Sequence, residues 1–182
     1  MTSFIIKAHI DRPQAPSWAP DSEANCTFCR IIQGELPAHK VYEDDDVLAI
    51  LDILPLRRGH TLVIPKLHCA RLSELPPNYA AATGKAVSRV ADALTQAVNN
   101  TALNVVCNQE YAQAVPHVHY HIIPAPTFGT SQADATSILK EKLAISKPPP
   151  SMAEMHQMEF ESREELDDED AVVLLKEIQA RL

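Results

Sequence analysis

The sequence contains no long hydrophobic run, few cysteines and no surplus of positive charge. None of its apolar segments approaches the roughly 20 residues that a membrane-spanning helix needs. Residues 1–10 lack the long apolar core and small-residue cleavage site of a secretory signal peptide. Cys26 and Cys29 form a Cys-x-x-Cys pair, whereas Cys69 and Cys107 stand alone, which indicates metal binding or free thiols in a reducing compartment. We therefore expect a cytoplasmic protein, with the nucleus as a further setting.

Negative charge is concentrated in one stretch of the chain. The net charge is −8, and residues 159–170 hold eight acidic residues and one arginine. Because the remainder is close to neutral, the chain has no basic footprint for nucleic acid. We interpret the acidic stretch as solvated surface.

The length of 182 residues predicts one compact domain with extensions. Residues 1–24 contain three prolines and little periodicity, which is typical of an extended arm. We place the domain at residues 25–126 and a C-terminal extension with a terminal amphipathic helix at residues 127–182. The apolar positions of that helix are Ala171, Leu174, Leu175, Ile178 and Leu182.

Hydrophobic periodicity inside the domain predicts five strands, one long helix and one short helix. The expected strands are 41–43, 47–53, 60–65, 101–107 and 115–124, the long helix is 72–100 and the short helix is 30–34.

Three histidines recur at every second position in the segment HVHYHIIP, which runs from His117 to Pro124. Two is the period of a strand, so the three imidazoles share one face and the apolar residues between them share the other. Because the apolar face can bury against a core, we expect the histidine face to be open or ligand-facing. Imidazoles side by side suit an anionic group, a metal or proton transfer near neutral pH. The alternatives are a chance cluster, a purification tag or a purely structural metal site.

This segment resembles the signature of the histidine triad (HIT) family of nucleotide hydrolases and transferases. The segments Cys26–Pro37, Val41–Ile53 and Gly59–His68 are similar to the family's earlier blocks and follow in the same order. The Cys-x-x-Cys opening and the run GHTLVIPK most resemble the Hint branch. The resemblance implies an α+β fold with an antiparallel sheet of about five strands and one long helix, and it implies a homodimer.

The resemblance also implies a chemistry for the histidines. His119 would attack the α-phosphorus of a nucleotide conjugate, because neutral imidazole is nucleophilic and its phosphoramidate is labile to water. His121 would contact phosphate oxygens or the leaving group, and Gln113 would donate to a phosphate oxygen. His60 would lie behind the triad and hold its proton network; the alternative is a buried, hydrogen-bonded histidine. His117 is shared between this triad and a metal site.

A nucleotide pocket is implied by the same resemblance. Asp52 would accept hydrogen bonds from two ribose hydroxyls, and the alternative is an aspartate that caps a turn before Pro55. Phe28 and Ile31 would line the nucleobase pocket, and the alternative for Phe28 is a simple core residue. The other residues implied in nucleotide binding are Ile50, Leu51, Ile53, Asn108, Gln113, Ala114, His119 and His121.

One loop departs from the family. Residues 108–114 lack the customary glycines and are one residue short compared with Hint-like proteins. Glycine lets backbone amides approach a phosphate closely, so its absence puts the usual phosphate geometry in question.

A zinc site is the one cofactor that the resemblance implies. Cys26, Cys29, His68 and His117 make the Cys₂His₂ set with which some members bind Zn²⁺. Four protein ligands leave no open position for a hydrolytic water, so such a zinc is structural. We expect no organic cofactor.

We expect a nucleoside phosphoramidase of the Hint type that releases AMP or GMP from N-linked conjugates through a His119–nucleotide intermediate, without nucleic acid or membrane partners. One alternative is a hydrolase of dinucleoside polyphosphates (Ap3A or Ap4A) of the Fhit type, which a larger second-base site would favour. The other is a non-catalytic nucleotide-binding or scaffold module, which the altered loop and the added tail favour.

Overall fold

The computed structural model describes residues 25–110, 112–126, 157–158, 160–161 and 163–182. The arm predicted for residues 1–24 and residues 127–156 of the predicted extension lie outside this part. The elements are α1 (Thr27–Ile32), β1 (Lys40–Glu43), β2 (Val47–Leu51), β3 (Thr61–Pro65), a 3₁₀ turn (Leu72–Glu74), α2 (Pro77–Ala97), β4 (Leu103–Cys107), β5 (Tyr120–Pro124) and α3 (Asp168–Gln179). The strands form one antiparallel sheet in the order β1-β2-β3-β5-β4, which confirms the predicted α+β fold.

Both faces of the sheet are covered at its centre. Every residue of β2 and β3 is buried, as expected for strands packed on two sides. One face packs under α1 through Phe28, Ile31, Leu48, Ile50, Leu62 and Ile64. The other packs against α2 and α3 through Val47, Ala49, Leu51, Val63 and Ile122. His121 lies opposite Leu62 in the β3–β5 register, so it belongs to the α1 face.

The long helix is shorter than predicted. It begins at Pro77 and ends at Ala97, and residues 72–74 form a separate 3₁₀ turn. The boundary follows from Pro76 and Pro77, because proline fits only the first turn of a helix. The helix buries Thr83, Ala86, Val90, Ala93 and Leu94. No helix within the described ranges combines the length and hydropathy needed to cross a bilayer.

The predicted terminal helix, α3, shares the main core. Asp167 caps its first turn by accepting a hydrogen bond from the Asp170 backbone N–H at 2.9 Å, and three acidic residues in that turn suit the positive end of the helix. Its apolar face is fully buried through Ala171, Leu174 and Ile178. The Asp170 carboxylate also pairs with Arg58 at 2.9 Å.

Gly59 and Gly34 both have positive φ, at 91° and 79°, but only Gly59 is crowded. A Cβ at Gly59 would lie 3.0 Å from Leu94 Cδ1 and 3.2 Å from Val98 Cγ1, both on or next to α2, whereas a Cβ at Gly34 meets nothing within 4 Å. We expect Gly59→Ala to lower the free energy of unfolding by about 2–4 kcal/mol, from backbone strain plus overpacking. Gly34→Ala should cost about 1 kcal/mol, from strain alone. Urea denaturation of both variants checks this, and equal losses would refute the packing argument.

Candidate active site and metal centre

The triad begins before β5. The strand starts at Tyr120, so His121 is the only triad member in it, and the prediction of a strand from residue 115 is wrong. The backbone upstream is used elsewhere, because the Val118 N–H donates to the Cys69 carbonyl at 2.7 Å and Pro116 has no N–H. The histidines nevertheless line up on the α1 side of the sheet.

The aligned rings form a continuous row that is covered rather than open. Ring centroids of His119 and His121 are 4.8 Å apart, and those of His121 and His60 are 5.2 Å apart. Phe28 contacts the row edge-on, with its centroid 5.1 Å from that of His119. His119 is only 3% exposed. Of the two predicted alternatives for the histidine face, open or ligand-facing, the open face is wrong at His119, because Phe28 of α1 lies over its ring.

His119 has a defined tautomer. Its Nδ1 lies 2.7 Å from the His117 carbonyl oxygen, and because a carbonyl can only accept, Nδ1 carries the proton. The lone pair is then on Nε2. Burial lowers the pKa of His119 below its ordinary value, against a smaller raising effect of this hydrogen bond. The ring is therefore a neutral imidazole with one unprotonated nitrogen, the form that a nucleophile needs.

His60 and His121 form a second neutral pair. His60 Nε2 lies 3.0 Å from His121 Nδ1, and the Leu56 backbone N–H donates to His60 Nδ1 at 3.2 Å. Since Leu56 occupies the Nδ1 lone pair, Nε2–H of His60 donates to His121, and His121 keeps its own proton on Nε2. Burial lowers the pKa of His60 to about 4 and also lowers the pKa of His121. This arrangement agrees with both interpretations of His60. The residue is buried and hydrogen-bonded, and it also contacts the triad through His121.

Asp52 caps a turn in the structure. Its Oδ1 accepts from the Leu54 backbone N–H at 2.9 Å, and its Oδ2 lies 3.3 Å from His60 Nδ1. Because Nδ1 already accepts from Leu56, Oδ2 keeps its capacity to accept from a ligand. The turn-capping alternative is thus present, and it does not compete with a contact to ribose.

The residues predicted to line the base pocket are divided between the two faces of the sheet. Phe28, Ile31 and Ile50 pack together on the α1 side. Leu51 points to the α2 side and belongs to the other cluster, so its side chain is not brought to the site. Ile53 is 71% exposed, just after Asp52.

The loop without glycines has a backbone that glycine usually adopts. Glu110 and Ala112 both have φ of 59°, in the left-handed region. The buried Gln113 turns its amide inward, where Nε2 donates to the Ala70 carbonyl at 3.0 Å and to the His117 carbonyl at 3.2 Å. Asn108 is half-buried and Ala114 exposed. Arg71, which no sequence pattern singled out, pairs with Glu110.

The four predicted metal ligands meet at one point. Their ligand atoms all lie within 4.8 Å of one another. His117 Nδ1 is 3.4 Å from Cys26 Sγ and 3.6 Å from Cys29 Sγ, and His68 Nδ1 is 3.2 Å from Cys29 Sγ. A tetrahedral zinc with ligands at its usual bond lengths would hold such atoms about 3.5 Å apart.

Two further contacts fit a metal at this cluster. His117 Nε2–H donates to the Pro65 carbonyl at 2.8 Å, which leaves Nδ1 unprotonated toward the thiols. Burial lowers the pKa of His117 to about 4, so the ring is neutral, as a ligand must be. Among the described residues, His68 Nε2 is buried without a hydrogen-bond partner, so the thiol cluster is what holds that ring.

Comparison with known proteins agrees with this geometry. The HIT domain family matches residues 33–127. Adenylylsulfatase HINT3 of Arabidopsis thaliana is 45% identical over 102 residues, which are 55% of this chain and 52% of the plant protein. This chain therefore spans about half the length of that relative. Adenosine 5′-monophosphoramidase HNT1 of Candida albicans is 38% identical over 109 residues, which are 57% of this chain and 72% of the yeast protein.

A solved structure of a zinc-bound protein is also similar to this chain. A zinc-bound histidine triad family protein from Mycobacterium smegmatis superposes with a TM-score of 0.60 at 28% identity, covering 87% of this chain and 96% of that protein. The likeness covers more of the chain than the family match does.

Proposed function

This chain belongs to the HIT family, and from that membership we propose that it hydrolyses purine nucleoside 5′-phosphoramidates, releasing AMP or GMP. The observation that carries the proposal is the tautomer of His119, whose Nδ1–H is held by the His117 carbonyl and whose Nε2 lone pair is available. The Candida albicans relative named as an adenosine 5′-monophosphoramidase supports the choice of substrate.

The reaction proceeds in two displacements at the α-phosphorus. His119 Nε2 attacks, a bond from Nε2 to phosphorus forms, and the bond from phosphorus to the leaving amine breaks. His121 Nε2–H is the proton available to the departing amine, and His60 holds that ring in the required tautomer. The positive charge that develops on the His119 ring is stabilised by the His117 carbonyl at Nδ1. Water then attacks phosphorus and gives a proton to His121 Nε2, and the bond from phosphorus to His119 Nε2 breaks, which releases the nucleoside monophosphate and restores both neutral histidines.

The nucleotide is bound by residues on both sides of the triad. We assign the ribose hydroxyls to Asp52, whose Oδ2 can accept, and the purine to the apolar surface of Phe28, Ile31 and Ile50. Exposed Ile53 covers the outer side of the base.

The Cys₂His₂ cluster is assigned to a structural zinc. Cys26, Cys29, His68 and His117 would hold it, and it would supply a tie between the N-terminal turn, the segment after β3 and the triad. In this proposal the His117 side chain is therefore a metal ligand, and its backbone carbonyl accepts the hydrogen bond from His119 Nδ1.

We also propose a homodimer that forms through β4 and α2. β4 is an edge strand, and its Val105 is 44% exposed. An exposed strand edge is a template for pairing with a second copy.

A substrate panel tests the proposed activity. We expect a higher kcat/KM for adenosine 5′-phosphoramidate than for diadenosine triphosphate, because we assign one group of apolar residues, Phe28, Ile31 and Ile50, to a base and no second group to another. Adenylyl sulfate belongs in the panel as a second candidate, since the Arabidopsis relative is named an adenylylsulfatase. Preference for the dinucleotide would assign the Fhit-type activity instead. Binding of AMP with no turnover of any substrate would favour a binding or scaffold module.

A further inference from the structure

The carbonyl oxygen of His117 accepts two hydrogen bonds from different parts of the molecule. One comes from His119 Nδ1 at 2.7 Å and the other from Gln113 Nε2 at 3.2 Å. This oxygen is the only partner that the structure gives to His119 Nδ1 among the described residues. Its direction therefore sets the orientation of the His119 ring as well as its tautomer.

Gln113 is itself held on every side. Its second amide hydrogen bond runs to the Ala70 carbonyl at 3.0 Å, and its Oε1 accepts the Glu110 backbone N–H at 2.8 Å. The side chain is buried, with the residue 8% exposed. A contact from this amide to a phosphate would require breaking its internal bonds inside the core, where an unpaired carbonyl costs about 1–3 kcal/mol.

We propose that Gln113 is a positioning residue that acts through the main-chain carbonyl of His117 to hold the His119 ring and its Nδ1–H tautomer. The inference rests on the proposed function and revises the predicted role of Gln113 as a donor to phosphate. A carbonyl fixed between two donors cannot tilt freely, so the Nε2 lone pair stays aimed at one place. Reactions of this kind are sensitive to displacements of about 1 Å.

Gln113 is held in place by contacts between two segments, residues 69–73 and residues 108–118, and we call this set of contacts the clasp. Arg71 pairs with Glu110, and the Ser73 backbone N–H donates to Gln109 Oε1 at 3.0 Å. The clasp holds a loop that lacks glycine in the left-handed conformation of Glu110 and Ala112. Side-chain contacts thus keep the backbone shape that glycine would adopt without cost.

Two substitutions at Gln113 separate the possible roles. Gln113→Glu keeps the length and the acceptor for Glu110 but has no N–H for the His117 carbonyl, and Gln113→Met removes all the hydrogen bonds at similar size. Gln33→Glu is the matched control, because it makes the same change at an exposed glutamine that ends α1 and lies outside the clasp. With adenosine 5′-phosphoramidate we expect kcat to fall roughly 10- to 100-fold in both Gln113 variants, with KM within about threefold of wild type. The control should keep wild-type kcat.

The tautomer of His119 is measured independently by ¹⁵N NMR of the imidazole ring. Wild type should show a protonated Nδ1 and an unprotonated Nε2, and Gln113→Met should show a mixture of the two tautomers. A raised KM with unchanged kcat in the Gln113 variants would indicate that Gln113 contacts the phosphate of the substrate, as first predicted, and would overturn the proposal. A fall in kcat with unchanged ring shifts would also overturn it, because Gln113 would then be merely structural. If wild type turns over no substrate, the proposed function fails, while the NMR comparison still decides the role of Gln113.

Discussion

Replacing His119 with alanine should lower kcat for adenosine 5′-phosphoramidate by roughly a thousandfold or more, because no other group can form the covalent intermediate. His119 Nε2 is the nitrogen left unprotonated when Nδ1–H donates to the His117 carbonyl. His121 cannot replace it, since its Nδ1 is occupied by His60 and its Nε2 carries a proton. The measurement is single-turnover and steady-state hydrolysis, with trapping of a nucleotidylated protein in wild type.

His39→Ala is the matched control for this loss. His39 immediately precedes β1, which two strands separate from β5, and it pairs with Asp168 at 3.1 Å, so its replacement should leave kcat unchanged. AMP should still bind to the His119→Ala protein, and this binding would show that the nucleotide site of the variant is intact. Near-wild-type turnover by His119→Ala would exclude the proposed nucleophile.

Replacing Cys29, a ligand in the proposed zinc site, should produce the second large effect, a loss of stability. Cys29 Sγ lies within 3.6 Å of ligand nitrogens from both His68 and His117, so Cys29→Ser breaks the cluster at its centre. Structural zinc contributes about 10–16 kcal/mol of binding free energy in small zinc domains. Because this domain has a separate large core, we expect Cys29→Ser to lower its free energy of unfolding by less than that, by several kcal/mol. Thermal unfolding of zinc-loaded protein, with metal content by atomic absorption, checks this.

Cys107→Ser controls for the loss of a thiol outside the cluster. Cys107 is half-buried in β4, and its replacement should leave the zinc content unchanged. A chelator should lower the melting temperature of wild type toward that of Cys29→Ser before it reduces activity. A melting temperature of zinc-loaded wild type that equals that of Cys29→Ser, or that the chelator leaves unchanged, would exclude a structural metal.

The sequence predicts the sheet and the members of the site better than the contacts between them. All five strands are located from the sequence: β2 and β3 are short apolar runs, as in strands buried on both faces, and the period-two histidines mark the strand that holds His121. The Cys₂His₂ set is brought together as the resemblance implied. The prediction of a HIT-family hydrolase is confirmed by the family match and by the relatives that bear hydrolase names. Its substrate and intermediate stay proposals.

The errors have local causes. The short helix begins at Thr27 instead of residue 30, because Cys26 occupies the N-cap position and is not a residue that signals a helix start. β5 is shorter than its pattern, since the Val118 N–H donates to the Cys69 carbonyl after β3 and the His117 N–H donates to the Val115 carbonyl. The inward turn of Gln113 depends on carbonyls of Ala70 and His117, which any residue would provide and which no sequence pattern can reveal.

The burial of α3 has a consequence for the order in which the protein folds. Ala171, Leu174 and Ile178 complete the same core as Val41 and Val47, more than a hundred residues earlier in the chain. Contacts of such long sequence separation form late, because the intervening chain must first lose its entropy. During synthesis, the apolar face that α2 and the sheet present to α3 stays open until residue 178 has left the ribosome. We therefore expect the nascent chain to aggregate through this face, and we expect a chaperone to bind there.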